Sequence, residues 1–347
     1  MPKVTLATIA EATGLTRSGV SKALAGHPDM SPATIARVQQ VARELKYRPA
    51  FGGKALRTGR SNIFALAGYE PGGVSQRAYM PLLFDAILKA SRRRGYDLVM
   101  FDPLGEWSTD QEPIPEILER GLIDGVILLA ADPGELLLQT LRQRQVPSII
   151  LDDVHGMPTN AIALDLETEG RTAAAHFADN GATRVVYIET LSERIYQVWH
   201  EAERGLKAWC RDAGIEFIKE VVDTSWYADD GRSAVRNHFL MWLKNTIVPG
   251  AAPVGVFTAN DAVGQTLLSA ALELGIDVPG QLMVTGHGDD MLCEFAEPPL
   301  SSFTFRDEAA ELAVEMLCER LQTGDNAPKR TVQTRLIPRG STSRAPR

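Results

Sequence analysis

The stretch VTLATIAEATGLTRSGVSKALAG, residues 4–26, predicts two short helices joined by a tight turn. Thr5 is a favourable N-cap for the first helix. Gly14 is a favourable end for it, because glycine adopts left-handed backbone angles at little cost. Thr16 is suited to cap a second helix, which Gly26 ends. The pattern therefore predicts a helix on each side of a short G-L-T link.

A third helix is predicted to begin at Ser31-Pro32, since serine caps a helix and proline fits its first position. The apolar residues of this helix recur at helical spacing and are Ile35, Val38, Ala42 and Leu45. Pro49 blocks its continuation. Three short helices with a tight first link are typical of a helix-turn-helix DNA-binding domain, here residues 1–49.

The second helix of such a domain enters the major groove and contacts base edges. The side chains expected to contact DNA from this helix are Arg17, Ser18, Ser21 and Lys22. Lysine and arginine donate to guanine O6 and N7, so a G-containing half-site is expected. Thr5 and Thr16 would offer hydroxyls and helix-end amides to phosphates. The plain alternative is that all of these are ordinary surface side chains.

Charge is distributed unevenly along the 347 residues. The whole chain has a formal charge of -8, but residues 1–60 carry +7 and the remainder carries -15. A basic segment joined to an acidic remainder is what a phosphate-contacting module attached to a sensor would show. The alternative is a merely solvated basic face.

From residue 61 onward, strand-like apolar runs alternate with helical stretches. The runs are NIFALAGY (62–69), YDLVMF (96–101), DGVILLA (124–130), VPSIIL (146–151), RVVYIE (184–189), FIKEVV (217–222), VGVFTA (254–259) and LMVTG (282–286). The alternation predicts parallel sheets covered by helices, and its occurrence twice indicates two similar lobes. A ligand would bind in the crevice at the carboxyl ends of the strands.

The chain contains no nucleotide-binding, zinc-protease or serine-hydrolase motif, and its six histidines lack metal-ligand spacing. Cys210, Cys293 and Cys318 form no C-x-x-C pair, which argues against a disulfide framework or a structural zinc site. We therefore expect no enzyme activity, no cofactor and no metal. No run is apolar enough to span a bilayer and no signal peptide is recognisable, so we expect a cytoplasmic, nucleoid-associated protein without a membrane partner.

The N-terminal segment resembles the LacI/GalR family of bacterial transcription regulators. The resemblance rests on residues 4–26, S-P-A-T-I-A-R-V (31–38), L-K-Y-R-P (45–49) and A-L-R-T-G-R-S (55–61). It implies a hinge at residues 50–60 that becomes helical on DNA, with Leu56 inserted into the minor groove and Lys54 near the backbone. Gly52 and Gly53 would weaken this hinge helix, since two interior glycines cost about 2 kcal/mol relative to alanine.

The rest of the chain resembles the same family nearly end to end. The marker stretches are D-L-E-T-E-G-R-T-A-A-A-H-F (165–177), F-T-A-N-D-A-V-G (257–264), L-G-I-D-V-P-G-Q-L (274–282), P-P-L-S-S-F (298–303) and I-P-R-G-S-T (337–342). The resemblance implies a small all-α helix-turn-helix head and an α/β two-lobed, periplasmic-binding-protein-like domain made of two parallel-sheet, Rossmann-like lobes. The chain would cross between the lobes three times.

The implied effector-binding and dimerisation domain spans residues 61–342. Its first lobe would comprise about 61–161 and 291–321, and its second lobe about 162–290 and 322–342, with a strand at 331–337 completing the second lobe. Positions that match the family suggest a pocket made by Tyr79, Asp152, Tyr196, Trp226, Asn260 and Asp289. Such residues suit a sugar or sugar derivative, because an indole stacks on the apolar face of the ring and polar groups replace the water around its hydroxyls.

Each pocket residue also has a structural alternative: Asn260 as a helix cap, Asp152 as a strand end, Trp226 as a core residue. Two positions depart from the sugar-binding pattern of the family. Ala202 stands where an arginine is common, and Gly288 interrupts the usual Gly-aromatic-Asp-Asp. Either Asp289 shifts inward or its contact is lost and His287 substitutes for it. The effector is therefore expected to differ from an unmodified hexose.

Together these patterns predict a sequence-specific transcription regulator, a repressor, whose affinity for a roughly palindromic operator is controlled by a small-molecule effector. Only five residues follow Thr342, too few for a tetramerising heptad tail, so a homodimer is expected. The alternatives are an effector-independent architectural DNA-binding protein and a solute-binding module without a regulatory role.

Overall fold

The computed structural model describes residues 4–47, 60–67, 74–100, 122–129, 136–152, 156–191, 196–223 and 232–343. The chain divides into two compact units, Met1–Ser61 and Asn62–Arg347. We call the first unit the head and the second the body. Lys54 and Leu56 of the predicted hinge and the predicted pocket residue Trp226 lie outside the described residues.

The described part of the head folds into three helices, which are α1 (Leu6–Thr13), α2 (Arg17–Leu24) and α3 (Pro32–Glu44). Two of the predicted caps are made: Gly19 N–H donates to Thr16 Oγ1 at 3.0 Å, and Thr34 N–H donates to Ser31 Oγ at 3.2 Å. Gly14 follows α1 with a left-handed φ of 69°. These caps satisfy amide groups that a helix start leaves unpaired, so local sequence sets where the helices begin.

A small apolar core holds the three helices together. Its buried members are Ile9, Val20, Ala23, Val38 and Ala42. Arg37 also donates to the carbonyl oxygen of Thr13 at 3.1 Å, which ties α3 to the end of α1. Burying a large aliphatic side chain contributes about 1.5–3 kcal/mol, so this core is enough to orient α2 on its neighbours.

The strands described in the body are β1 (Ile63–Ala67), β2 (Asp97–Met100), β3 (Gly125–Leu129), β4 (Ser148–Leu151), β5 (Ala161–Leu164), β6 (Arg184–Leu191), β7 (Glu216–Asp223), β8 (Val254–Thr258), β9 (Leu282–His287), β10 (Ser301–Thr304), β11 (Arg330–Val332) and β12 (Arg335–Ile337). The helices are α4 (Val74–Arg93), α5 (Leu136–Gln143), α6 (Leu166–Asp179), α7 (Tyr196–Ala213), α8 (Arg232–Thr246), α9 (Asp261–Glu273) and α10 (Arg306–Thr323). A short 3-10 helix spans Cys293–Phe295.

These strands form two six-stranded sheets, as the repeated alternation predicts. The first sheet has the order β11-β5-β4-β3-β1-β2 and the second β12-β10-β9-β8-β6-β7. Every pairing is parallel except that of β10 with β12. All five residues of the strands β1 and β8, neither of which is an edge strand, are buried, because helices cover parallel sheets on both faces.

Helices pack closely on each sheet at glycine positions. Leu317 of α10 lies against Gly125 in the first sheet, and Phe177 of α6 lies against Gly255 in the second. A Cβ atom at either glycine would collide with its partner's side chain. The chain passes from one sheet to the other three times, after β5, after β10 and after β11. The family resemblance implies the same number of crossings.

Three placements differ from expectation. The strand β10 (301–304) lies in the second sheet, although residues 291–321 are expected in the first lobe, because it pairs in parallel with β9. The strand β5 (161–164) belongs to the first sheet, which extends that lobe beyond residue 161. Residues 331–337 form no single strand, since β11 joins the first sheet and β12 the second, with Gln333 and Thr334 between them.

The opening of α4 also differs from expectation. The sequence suggests a helix from residue 80 with Tyr79 in a preceding loop, but α4 begins at Val74 and carries Pro81 in its interior. Tyr79 is therefore part of a helix.

Among all the helices described in this chain, none is long and apolar enough to cross a membrane.

Candidate functional site

The outward face of α2 carries the residues predicted to contact DNA. Val20 and Ala23 are fully buried, so the helix turns Arg17, Ser18 and Lys22 to the exterior. Ser21 is half-buried on the edge of this face, and Thr5 and Thr16 are exposed just before the first turns of α1 and α2. Residues four apart on a helix share a face, so Ser18 and Lys22 form one polar surface.

An acidic side chain that the sequence analysis did not single out lies beside this surface. Asp29 Oδ2 is 3.4 Å from Lys22 Nζ. The loop between α2 and α3 folds back to make this contact: Gly26 has a left-handed φ of 67°, and His27 N–H donates to the carbonyl oxygen of Lys22 at 3.0 Å. Helix α2 ends at Leu24, so the contact of Lys22 with Asp29 depends on the fold of the loop and no periodicity of the sequence indicates it.

In the body, polar residues collect at the carboxyl ends of strands from both sheets. Asp152 follows β4 with a left-handed φ of 60° and is half-buried. Asn260 follows β8, and its Oδ1 accepts a hydrogen bond from Val263 N–H at 2.9 Å, which caps α9. His287 is the last residue of β9. Asp152 and Asp261, the neighbour of Asn260, both act electrostatically on His287, so these strand ends lie near one another.

A buried pair with Glu169 holds His287. His287 Nδ1 lies 2.9 Å from Glu169 Oε1, and the imidazole ring stacks on Phe305 at a centroid distance of 5.1 Å. Burial opposes the charged imidazole, but Glu169, Asp152 and Asp261 together raise the pKa of His287 above its ordinary value. Glu169 Oε2 is buried and has no hydrogen-bond partner among the described residues. Only the marker stretch at 165–177 pointed to this region of α6.

Asp289 is oriented toward arginines. Its carboxylate oxygens lie 2.6 Å from Arg339 Nη2 and 3.3 Å from Arg306 Nη2. Arg306 also donates to the carbonyl oxygen of Gly288 at 2.7 Å. The Asp289 side chain is 12% exposed. Its charge is therefore committed to an internal ion pair that fastens the end of β9 to the start of α10 and to the segment after β12.

Asp261, beside the predicted pocket residue Asn260, has an internal structural role. Its oxygens accept hydrogen bonds from Ser302 Oγ at 2.5 Å and from Asp290 N–H at 2.8 Å. Burial raises the pKa of Asp261 to about 7, while the Ser302 and Asp290 hydrogen bonds act in the opposite direction. Gly286 approaches this carboxylate so closely that a Cβ atom there would overlap it. Asp261 thus joins β9, β10 and α9 below the strand ends.

Two predicted pocket residues lie in helices. Tyr79 belongs to α4, and Tyr196 is the first residue of α7. The position at which the family often has arginine, Ala202, is fully buried in α7. Its carbonyl oxygen packs against Gly170 of α6, so this position contributes to the contact between two helices.

Two groups of side chains in the described residues bring three ligand atoms of metal-binding type together. In the first, Glu189, His200 and Glu203, the ammonium of Lys219 lies 2.8 Å from Glu189 and 3.0 Å from Glu203. In the second, Asp261, Asp290 and Cys293, the carboxylates accept hydrogen bonds from the protein. Protein donors already satisfy both groups, so neither supports a metal site.

An apolar surface lies on the second lobe, between α9 and the segment that follows β9. Its exposed large side chains are Leu272, Met291, Leu292 and Phe295. Leu272, Leu292 and Phe295 line a groove of 290 Å³ between α9 and the 3-10 helix. Monomeric proteins seldom leave several large apolar side chains exposed together, which makes this groove a candidate protein-binding surface.

Comparison with known proteins agrees with both units. Residues 5–50 match the family model for bacterial regulatory proteins of the lacI family, and residues 174–342 match that for a periplasmic binding protein-like domain. The HTH-type transcriptional regulator CelR of Thermobifida fusca is 27% identical over 97% of this chain and 98% of its own length.

Solved structures of similar proteins share the fold. The lac repressor dimer bound to operator and the anti-inducer ONPF aligns with a TM-score of 0.74 at 19% identity, over 98% of this chain and 99% of that one. A transcriptional regulator CelR-cellobiose complex aligns with a TM-score of 0.65 at 24% identity, over 98% and 100% of the two chains. The protein therefore combines a DNA-binding head of the lacI family of bacterial regulatory proteins with a periplasmic binding protein-like domain, and it is a DNA-binding transcription regulator.

Proposed function

We propose that this protein is a dimeric repressor that reads a roughly palindromic operator with α2. A small molecule that binds between the lobes of the body lowers or raises its affinity for the operator. The observation that carries the proposal is the exposed polar face of α2, with Arg17, Ser18 and Lys22 presented together on a packed three-helix head. Helices displayed in this way place their first residues on base edges in the major groove.

Lys22→Ala is expected to weaken operator binding by about 1–3 kcal/mol and to relax the base preference at one position of each half-site. The reason is that a lysine that donates to guanine O6 or N7 discriminates between bases, whereas a phosphate contact does not. Binding titrations on an operator selected from a randomised library, and on single-base variants of it, measure both effects. Lys46→Ala, an exposed cation after α3, is the control. An equal loss on selected and random DNA for Lys22→Ala would contradict the base-reading role.

For the effector we propose a small polar molecule, a sugar or sugar derivative, at the carboxyl ends of β4, β8 and β9. CelR was solved with cellobiose, which supports a carbohydrate class here. Asp152 and Asn260 remain the proposed contacts, together with Tyr79, Tyr196 and Trp226. His287 replaces Asp289 in the proposal, because the Asp289 carboxylate is committed to Arg306 and Arg339.

A hydrogen bond and a ring contact near the segments that cross between the lobes support a hinge mechanism. Gln333 Nε2 donates to Asp165 Oδ2 at 2.8 Å, which joins the third crossing to the first. His287 stacks on Phe305 at the second crossing. A ligand that closes the lobes would bend these segments and move the first lobes of a dimer relative to each other. Coupling of this kind is typically worth 1–3 kcal/mol in operator affinity.

A thermal-shift screen of the full-length protein against sugars, sugar phosphates, sugar acids, polyols and nucleosides tests the effector proposal. A ligand at 100 times its Kd raises the free energy of unfolding by about 2.7 kcal/mol, so a true effector should raise the midpoint clearly. Hits are then added to an operator-binding titration. A hit that weakens operator binding supports an inducible repressor, and one that strengthens it indicates a corepressor. Stabilisation by no compound would favour an effector-independent DNA-binding protein.

For the oligomer we propose a dimer that buries the apolar groove against a second copy. Phe295→Glu is expected to weaken the dimer at least about tenfold, because Phe295 is 79% exposed and a carboxylate in an apolar interface loses its water. Sedimentation velocity across a dilution series measures the dissociation constant. Met241→Glu is the matched control, since Met241 is 63% exposed on α8 but does not line the groove. An unchanged dimer in Phe295→Glu would place the interface elsewhere.

A further inference from the structure

The contact between Lys22 and Asp29 poses a question about DNA recognition. A carboxylate lies 3.4 Å from the ammonium of the residue proposed to read bases. Both side chains are largely exposed, 49% for Lys22 and 65% for Asp29. An exposed ion pair contributes about 0–1 kcal/mol to folding, so stability does not account for placing an anion on a DNA-binding face.

The loop that carries Asp29 is held in place by its own backbone. His27 N–H bonds to the carbonyl oxygen of Lys22, Met30 N–H bonds to that of His27 at 3.0 Å, and Asp29 N–H donates to His27 Nδ1 at 3.3 Å. Ser31 then caps α3. The backbone of Asp29 is therefore held beside the end of α2, and its Oδ2 lies 3.3 Å from His27 Nδ1 as well as 3.4 Å from Lys22 Nζ.

We infer that Asp29 is a specificity-determining residue of the head: it keeps Lys22 on base edges and disfavours its use as a phosphate contact. The inference rests on the proposed base-reading role of Lys22. Non-specific binding consists of contacts between cations and phosphates. A carboxylate beside Lys22 neutralises that cation toward phosphates and repels them, so it weakens binding to every sequence.

On the operator, base contacts offset the unfavourable effect of Asp29 on binding. Guanine presents acceptors at O6 and N7, and the cytosine paired with it presents an N4 donor on the same groove edge. An ammonium and a carboxylate held side by side match this arrangement of acceptor and donor. The repulsion between Asp29 and the DNA is then offset by base contacts on the operator, and it remains without compensation on random DNA. Asp29 thus increases the ratio of the two affinities.

The test is a double-mutant cycle with Asp29→Asn and Lys22→Ala in the full-length protein. Each variant is titrated on the operator duplex selected by the wild-type protein and on a random duplex of equal length. Asp29→Asn is expected to tighten binding to the random duplex on the order of fivefold and to change operator binding by less than about twofold. The slope of log affinity against log salt on random DNA should become steeper by about one counterion.

In the Lys22→Ala background, Asp29→Asn should leave the ratio of operator to random affinity unchanged within about twofold, because the ammonium through which Asp29 acts on specificity is absent. Glu44→Gln, the same charge change at an acid that accepts from Gln40 Nε2 at 3.0 Å, is the matched control and should leave the ratio unchanged. The unfolding midpoint of Asp29→Asn should equal that of the wild type.

Several outcomes would overturn the inference. An Asp29→Asn variant that changes both duplexes by the same factor, or that keeps its full effect in the Lys22→Ala background, shows that Asp29 does not act through Lys22 on specificity. A different failure belongs to the proposed function: if Lys22→Ala alone leaves the base preference intact, Lys22 is no base reader. The single variants therefore separate the two.

Discussion

Asp289→Ala is expected to lower the free energy of unfolding of the body by about 3–5 kcal/mol. The carboxylate is the shared partner of Arg306 and Arg339, whose side chains are 18% and 14% exposed. Without it, two guanidinium groups remain largely buried near each other and lose their compensating charge. Chemical denaturation followed by tryptophan fluorescence measures the change.

Asp289→Asn is the matched variant, because asparagine has the same shape and tolerates the left-handed φ of 51° at this position. It keeps one hydrogen-bond acceptor but removes the charge, so an intermediate loss of stability is expected. The pair of variants also tests the assignment of Asp289. If either variant has normal stability but does not respond to the effector, Asp289 contacts the effector. That result would contradict its role as an internal ion-pair partner.

Gly205→Ala is expected to lower the free energy of unfolding of the body by about 3 kcal/mol or more. Helices α6 and α7 touch through their backbones: a Cβ atom at Gly205 would overlap the carbonyl oxygen of Glu167, and one at Gly170 would overlap that of Ala202. Because backbone atoms cannot rotate away, alanine must push the helices apart. The midpoint of thermal unfolding should fall by roughly 5–10 °C.

The sign of the Gly205 effect is diagnostic. In a helix that has room for a methyl group, glycine to alanine stabilises by up to about 1 kcal/mol through helix propensity. Lys207→Ala, on the exposed face of the same helix, controls for changes in α7 itself and should be nearly neutral. A stabilised Gly205→Ala variant would mean that α6 and α7 are not in backbone contact.

Local sequence was sufficient for much of the fold. The helix starts at Thr16 and Ser31 and the helix end at Gly14 follow from capping and from left-handed glycine, which depend on neighbouring residues only. The alternation of apolar runs with helical stretches predicted two parallel layers, because strands buried on both faces are apolar throughout. Local sequence did not predict which sheet each strand joins, as β10 shows, because strand pairing depends on partners distant in the chain.

Some residues of the candidate sites were predictable from spacing along the chain, and others were not. Spacing on α2 identified Arg17, Ser18 and Lys22, because a single helix sets which side chains share a face. It did not indicate Asp29, which reaches Lys22 only through the fold of the loop between α2 and α3. Asp289 was read from a motif as a pocket residue, but Arg306 and Arg339, 17 and 50 residues further along the chain, turn its carboxylate to the interior.

By itself, the sequence determined the helix-turn-helix and the two-lobed body, since caps and periodicity act over a few residues. The class of regulator followed from the resemblance to the LacI/GalR family. The tertiary structure alone decided the partners of Lys22, His287 and Asp289. The physical reason is that a charge inside a protein is governed by whichever groups folding places within a few ångströms of it, and those groups come from separate elements.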